Sequence, residues 1–179
     1  MDNVLLRPTY GTPHEALPFD DVRAEDFIPA LREALDLARA EVKAIRDRAE
    51  APTFGNTIEA LERNGERLSL ISSMLFNLNA AETTEAIQLA TREASPLLTE
   101  WGNDILLDEA LFARVARVWE ERATYDLTPE AATLLEKTYL QFVRNGANLD
   151  DAGKQRLREL DKALAERQLT FGEHVLHAT

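Results

Sequence analysis

APTFGNTIEALERNGERL, residues 51–68, is the stretch where one helix gives way to the next. Pro52 pushes Ala51 out of helical geometry, because the proline ring crowds the residue before it, so a helix arriving from upstream ends there. Asn56 followed three residues later by Glu59 has the spacing of a capping box, and Phe54 and Ala60 flank that cap at roughly the spacing of a hydrophobic staple. The helix that follows carries Ile58, Leu61, Leu68, Ile71, Leu75 and Leu78 on one stripe. The stretch therefore predicts a helical hairpin. Gly65 falls inside its second helix, where glycine costs about 1 kcal/mol relative to alanine, and a tightly apposed neighbouring backbone is the expected reason for it.

The same reading extends in both directions. Upstream, Phe27, Leu31, Ala34, Leu35, Ala38, Val42 and Ile45 recur at helical spacing and predict a helix over about residues 25–48, with Pro29 tolerable only near its start. Residues 1–23 hold Pro8, Gly11, Pro13 and Pro18, a density that predicts an extended lead-in, with Phe19 and Val22 as its anchors. Downstream, Thr83 or Thr84 caps a helix with Ile87, Ala90, Ala94, Leu97, Leu98, Trp101 and Ile105 inward, which Pro96 should kink or interrupt. Asp108 caps the next, and Thr128-Pro129-Glu130 opens another that Asn145-Gly146 closes in the manner of a left-handed C-terminal cap. A last helix runs from about Asp150 with Leu157, Leu160, Leu164, Phe171, Val175 and Leu176 on its stripe. It meets no stop signal, which points to a segment of a longer polypeptide.

No segment alternates with period two. The predicted fold class is all-α, a bundle of about six mostly antiparallel helices, with residues 1–23 as lead-in and residues 24–179 as the helical domain.

Composition narrows the function. The 179 residues carry 32 acidic and 20 basic side chains, a formal charge of −12 whose field repels phosphate backbones and anionic lipid, so neither nucleic acid nor a membrane is an expected partner. No apolar run approaches the ~20 residues of a membrane span. The lack of any cysteine removes disulfides and thiolate metal sites and fits a reducing compartment, so a soluble cytoplasmic setting is expected.

Catalytic constellations are missing. There is no H-E-x-x-H, no Gly-rich phosphate loop and no G-x-S-x-G elbow. Of the histidines His14, His174 and His177, only the last two share a helix, with no carboxylate or third imidazole to complete a zinc site. Ser69, Ser72, Ser73 and Ser95 have no nearby histidine, and the pairs Asp20-Asp21, Glu120-Glu121 and Asp150-Asp151 lack the alternating loop of a calcium site. Trp101, Trp119, Tyr139, Phe142 and Phe171 are expected to be core rather than a ligand groove. No residue of the chain is assigned a catalytic, cofactor-binding or metal-binding role.

Four blocks, APTFGNTIEALERNGE (51–66), SPLLTEWGNDILLDEALFARVARVWE (95–120), LTPEAATLLEKTYLQFVRNGANL (127–149) and LTFGEHVL (169–176), resemble in order and spacing the N-terminal region of the thimet-oligopeptidase family of zinc metallopeptidases. The resemblance runs from about Leu17 to Leu176 and implies a mostly helical enzyme with a deep channel. A C-terminal catalytic part of such an enzyme holds zinc on H-E-x-x-H and a further Glu. The implied role is that of the channel wall of a peptidyl-dipeptidase or oligopeptidase, inactive by itself. Its implied partners are the C-terminal catalytic domain of the same polypeptide and short peptide substrates. The rival is a stand-alone helical protein-interaction module, which should seal the apolar stripe of its last helix where a segment of a larger enzyme would leave it partly uncovered.

Overall fold

The structure, a computed structural model, describes residues 3–178, and of residues 173 and 176–178 it describes the backbone alone. The chain is all-α: among the described residues there is no strand. The helices are α1 (Ala24–Arg46), the short α2 (Ala60–Glu62), α3 (Glu66–Ala81), α4 (Glu85–Leu106), α5 (Glu109–Glu120), α6 (Pro129–Arg144) and α7 (Asp151–Ala178). The lead-in is punctuated by 3-10 turns at Val4–Leu6, Pro13–Glu15 and Phe19–Asp21. Contacts divide the chain into two compact units, one of Met1–Arg39 with Gly65–Leu97, the other of Ala40–Asn64 with Leu98–Thr179.

In the first unit, Phe27, Ala30, Leu31, Ala34, Leu35 and Ala38 of α1 are buried, as are Leu68, Ile71, Met74 and Leu75 of α3 and Ile87, Ala90 and Ala94 of α4. Of the two expected anchors of the lead-in, Val22 is half-buried and Phe19 is exposed; the fully buried pair is Val4 and Leu5. Asn3 explains why that apolar pair holds: its side-chain oxygen caps the first turn by accepting from Leu5 N (3.0 Å), while its Nδ2 donates to Asp26 O (2.8 Å) at the start of α1. Arg67 of α3 adds a second tie, donating to Leu5 O (3.4 Å) and to the Tyr10 hydroxyl (2.9 Å).

The expected hairpin helix is broken. Gly65 has φ +68° and stands at the N-terminus of α3 in left-handed geometry, which a side chain adopts only at a cost. A Cβ there would lie 3.6 Å from Ala38 Cβ, an ordinary contact, so the torsion and not close packing calls for glycine. Two other expectations change. The capping box pairs Thr53 with Asn56 rather than Asn56 with Glu59, and a π-helical turn, Phe54–Glu59, leads into α2. Pro96 does not interrupt α4, which runs through it to Leu106.

In the second unit the cap signals hold. Asp108 accepts from Leu111 N (2.8 Å) at the start of α5 and Thr128 accepts from Ala131 N (3.3 Å) at the start of α6. Thr84 likewise accepts from Ile87 N (3.2 Å) for α4, in the first unit. At the end of α6, Gly146 takes φ +92°, with Ala147 N bonded to Phe142 O (3.1 Å) and Gly146 N to Val143 O (3.4 Å), the paired pattern of a Schellman motif.

Candidate functional site

Asn56 is the hub of the turn that opens the second hairpin arm. Its Oδ1 accepts from Thr53 N (2.8 Å) and from the Thr57 hydroxyl (2.8 Å), while its Nδ2 donates to Ala51 O (2.9 Å). A third donor reaches the same oxygen from α5: Arg114 Nη2 at 3.3 Å. Arg114 Nη1 donates to Arg48 O (2.9 Å) and Glu50 O (3.2 Å), so one guanidinium holds the connection between α1 and the π turn. Arg114 is only 8% exposed, its partners among the described residues are neutral oxygens, and its Nε is buried without a partner. A cation in that setting is an architectural clamp: it satisfies loop carbonyls that burial would otherwise leave without donors. The sequence signal for it is a charged residue on the stripe Leu111, Val115, Val118, which helical period assigns to the core.

Beside this clamp Arg46 bridges Asp47 Oδ1 (2.7 Å) and Asp108 Oδ2 (3.3 Å), so Asp108 both caps α5 and receives the end of α1. Arg46 and then Lys43 hold the Asp47 carboxyl down to about 2, while Asp47 and Asp108 raise the Arg46 guanidinium above its ordinary value. Glu130 is lowered chiefly by its own backbone N–H and then by the Thr128 hydroxyl, as expected for an acid in the first turn of α6.

The aromatic residues sort into a seam. Trp119 stacks on Tyr139 at 4.9 Å between centroids, and Phe112 lies 6.1 Å from Tyr139 and 5.9 Å from Phe142, so the rings join α5 to α6. Arg122 covers Trp119 at 4.2 Å and donates to its carbonyl. Trp101 and Phe142 are buried as expected, whereas Phe171 is exposed. Along α6 an open groove of about 580 Å³ is lined by Glu130, Leu134, Lys137, Thr138 and Gln141, with Glu62 of α2.

Among the described residues the histidines do not gather into a donor set for a catalytic zinc. His14 lies exposed in a left-handed turn of the lead-in, His174 is exposed on α7, and the side chain of His177 is outside the described residues. Among the described residues no three His, Asp or Glu side chains converge as a metal-holding group. The acidic pairs have local roles where the structure gives one: Asp150 caps α7 through Gly153 N (2.8 Å), and Glu121 pairs with Arg117. No helix among the described residues is long and apolar enough to cross a membrane.

The start of α7 is tied down. Lys154, 8% exposed, pairs with Glu109 of α5 (2.6 Å), and Arg158 pairs with Asp104 of α4 (2.9 Å). Beyond that anchor the stripe is uncovered: Leu160 is 49% exposed, Leu164 53%, Phe171 70% and Val175 47%. Leu176, expected on the same stripe, lies outside the described side chains.

No family model matches the chain. Individual proteins do. It is 37% identical over 180 residues to the dipeptidyl carboxypeptidase of Escherichia coli, a match covering 99% of this chain and 26% of that protein. It is 26% identical over 181 residues to the oligopeptidase A of the same organism, covering 100% and 26% respectively. A thimet-like oligopeptidase of Dictyostelium discoideum matches at 22% over 151 residues, 80% of this chain and 22% of that protein. The chain thus spans about a quarter of the length of the curated relatives it matches.

Proposed function

Because the chain is related over nearly its whole length to the dipeptidyl carboxypeptidases and oligopeptidases of the thimet-oligopeptidase family, we propose that it is the helical, N-terminal channel-wall portion of a zinc-dependent peptidyl-dipeptidase. The observation that carries this reading is the lopsided coverage, 99% of this chain against 26% of the dipeptidyl carboxypeptidase. A chain with no H-E-x-x-H and, among the described residues, no converging donor cluster contributes shape: it restricts which peptides reach a hydrolytic centre held elsewhere in the polypeptide. The proposed substrates are short peptides and the proposed setting is the cytoplasm. The −12 charge favours cationic peptides through its field. The uncovered stripe on α7 speaks against a self-contained interaction module, which would bury that face.

The test is a chimera in which this chain replaces the matching quarter of the Escherichia coli dipeptidyl carboxypeptidase. The chimera is expected to release dipeptides from short blocked peptides, and the isolated chain with added zinc is expected to release none. Chelator-sensitive hydrolysis by the isolated chain, or a folded chimera without activity, overturns the reading.

A further inference from the structure

We infer that the outer part of α7 is the seam on which the rest of the enzyme seats an amphipathic helix carrying carboxylates along one edge; the inference rests on the proposed function. Leu157, Leu160, Leu164, Phe171 and Val175 are spaced by three, four, seven and four residues, which at 3.6 residues per turn places them on one stripe. Leu157 is half-buried and packs close to Gly146, whereas every later member is 47% exposed or more. From Leu160 to Val175 the stripe extends about 22 Å, long enough for about four turns of a partner helix.

Three occupants are conceivable, and two are disfavoured. A second copy carries the same −12 charge, and a self-pair of α7 centred on the stripe brings exposed Arg167 against its own counterpart. A nucleic acid is excluded by chemistry, since it is anionic, is repelled by the −12 charge and offers no apolar helix face. The remaining occupant is polypeptide of the same enzyme, because the relatives run to about four times the length matched here, from coverage of 26%. Arg167 lies three residues after Leu164 and four before Phe171, on one edge of the stripe, so the seated helix is expected to bring Asp or Glu to that edge.

Leu164→Glu with Phe171→Glu tests the seam. Both residues are exposed, so the isolated chain is expected to melt unchanged. In the covalent chimera, where the stripe is seated, the double variant is expected to melt at a lower temperature than the parent chimera, as for loss of a central anchor. In the covalent chimera, chymotryptic cleavage at Phe171 is expected to be suppressed relative to the isolated chain. Equal melting of the two chimeras, or equal cleavage in the two settings, overturns the seam while an active chimera leaves the proposed function standing. A self-dimer abolished by the double variant also overturns it, in favour of a second copy. An inactive but folded chimera removes the function itself.

Discussion

Arg114 on α5 donates to the side-chain oxygen of Asn56 at 3.3 Å, the same oxygen that closes the capping box with Thr53. The two residues are 58 positions apart in sequence, and their bond joins a local cap to a long-range clamp. Arg114→Ala leaves the carbonyls of Arg48 and Glu50 without this donor and is expected to cost about 2–3 kcal/mol of unfolding free energy in urea titration. Limited proteolysis should open between Asp47 and Thr53. Arg114→Lys should recover only part of the loss, because an ammonium cannot span three oxygens in a fork.

Gly146 and Gly172 should respond in opposite directions to alanine. At Gly146, φ is +92° and a Cβ would sit 2.7 Å from Leu157 Cδ2 and 2.9 Å from Leu149 Cδ1. Strain and overlap together are expected to cost about 2–3 kcal/mol. At Gly172, inside α7, nothing lies within 4 Å of the added carbon, so alanine is expected to stabilise by up to about 1 kcal/mol. Thermal melts of the two variants check both signs.

Asp108 has two duties that substitution separates. Asp108→Ala removes the cap on Leu111 N and is expected to cost about 1 kcal/mol in chemical denaturation. Asp108→Asn keeps a capping oxygen and loses only the charge facing Arg46, a partly solvated pair 3.3 Å apart, so the loss should be small and should vanish in high salt.

Acid should reveal Asp47. Its folded carboxyl is held at about 2 by Arg46 and Lys43, against an ordinary 3.8, so the contribution is complete above the ordinary value. It is lost as pH falls from there through about 2, because below both values the two states bind the proton equally. Asp47→Asn is therefore expected to flatten the stability profile in that window and to change nothing in its slope near neutrality.

Boundaries set by neighbouring residues were legible in the sequence, and those set by distant ones were not. Asp108, Thr84 and Thr128-Pro129 act within one turn of themselves, so their chemistry sufficed to place the starts of α5, α4 and α6. The break at Gly65 carried the same tripeptide as the end of α6: Arg63-Asn64-Gly65 matches Arg144-Asn145-Gly146, and both glycines adopt positive φ. Apolar residues continue on both sides of Gly65 at helical spacing, a pattern that masks the left-handed joint between the short α2 and α3. The clamp at Arg114 is silent in the sequence for another reason. Its partners Arg48 and Glu50 present backbone oxygens, and no side-chain pattern announces an acceptor of that kind. The stripe of α7 has a spacing visible in the letters, but which part of it is anchored depends on Lys154 and Arg158 finding acids on α5 and α4.

The left-handed joint at Gly146 also sets an angular tolerance. A helix departing from it is a lever, and with about 36 Å from Asp151 to Val175, a ten-degree error at the joint would sweep the far end through about 6 Å. The crowding of Leu107, Leu149 and Leu157 around one glycine therefore governs aim as much as stability.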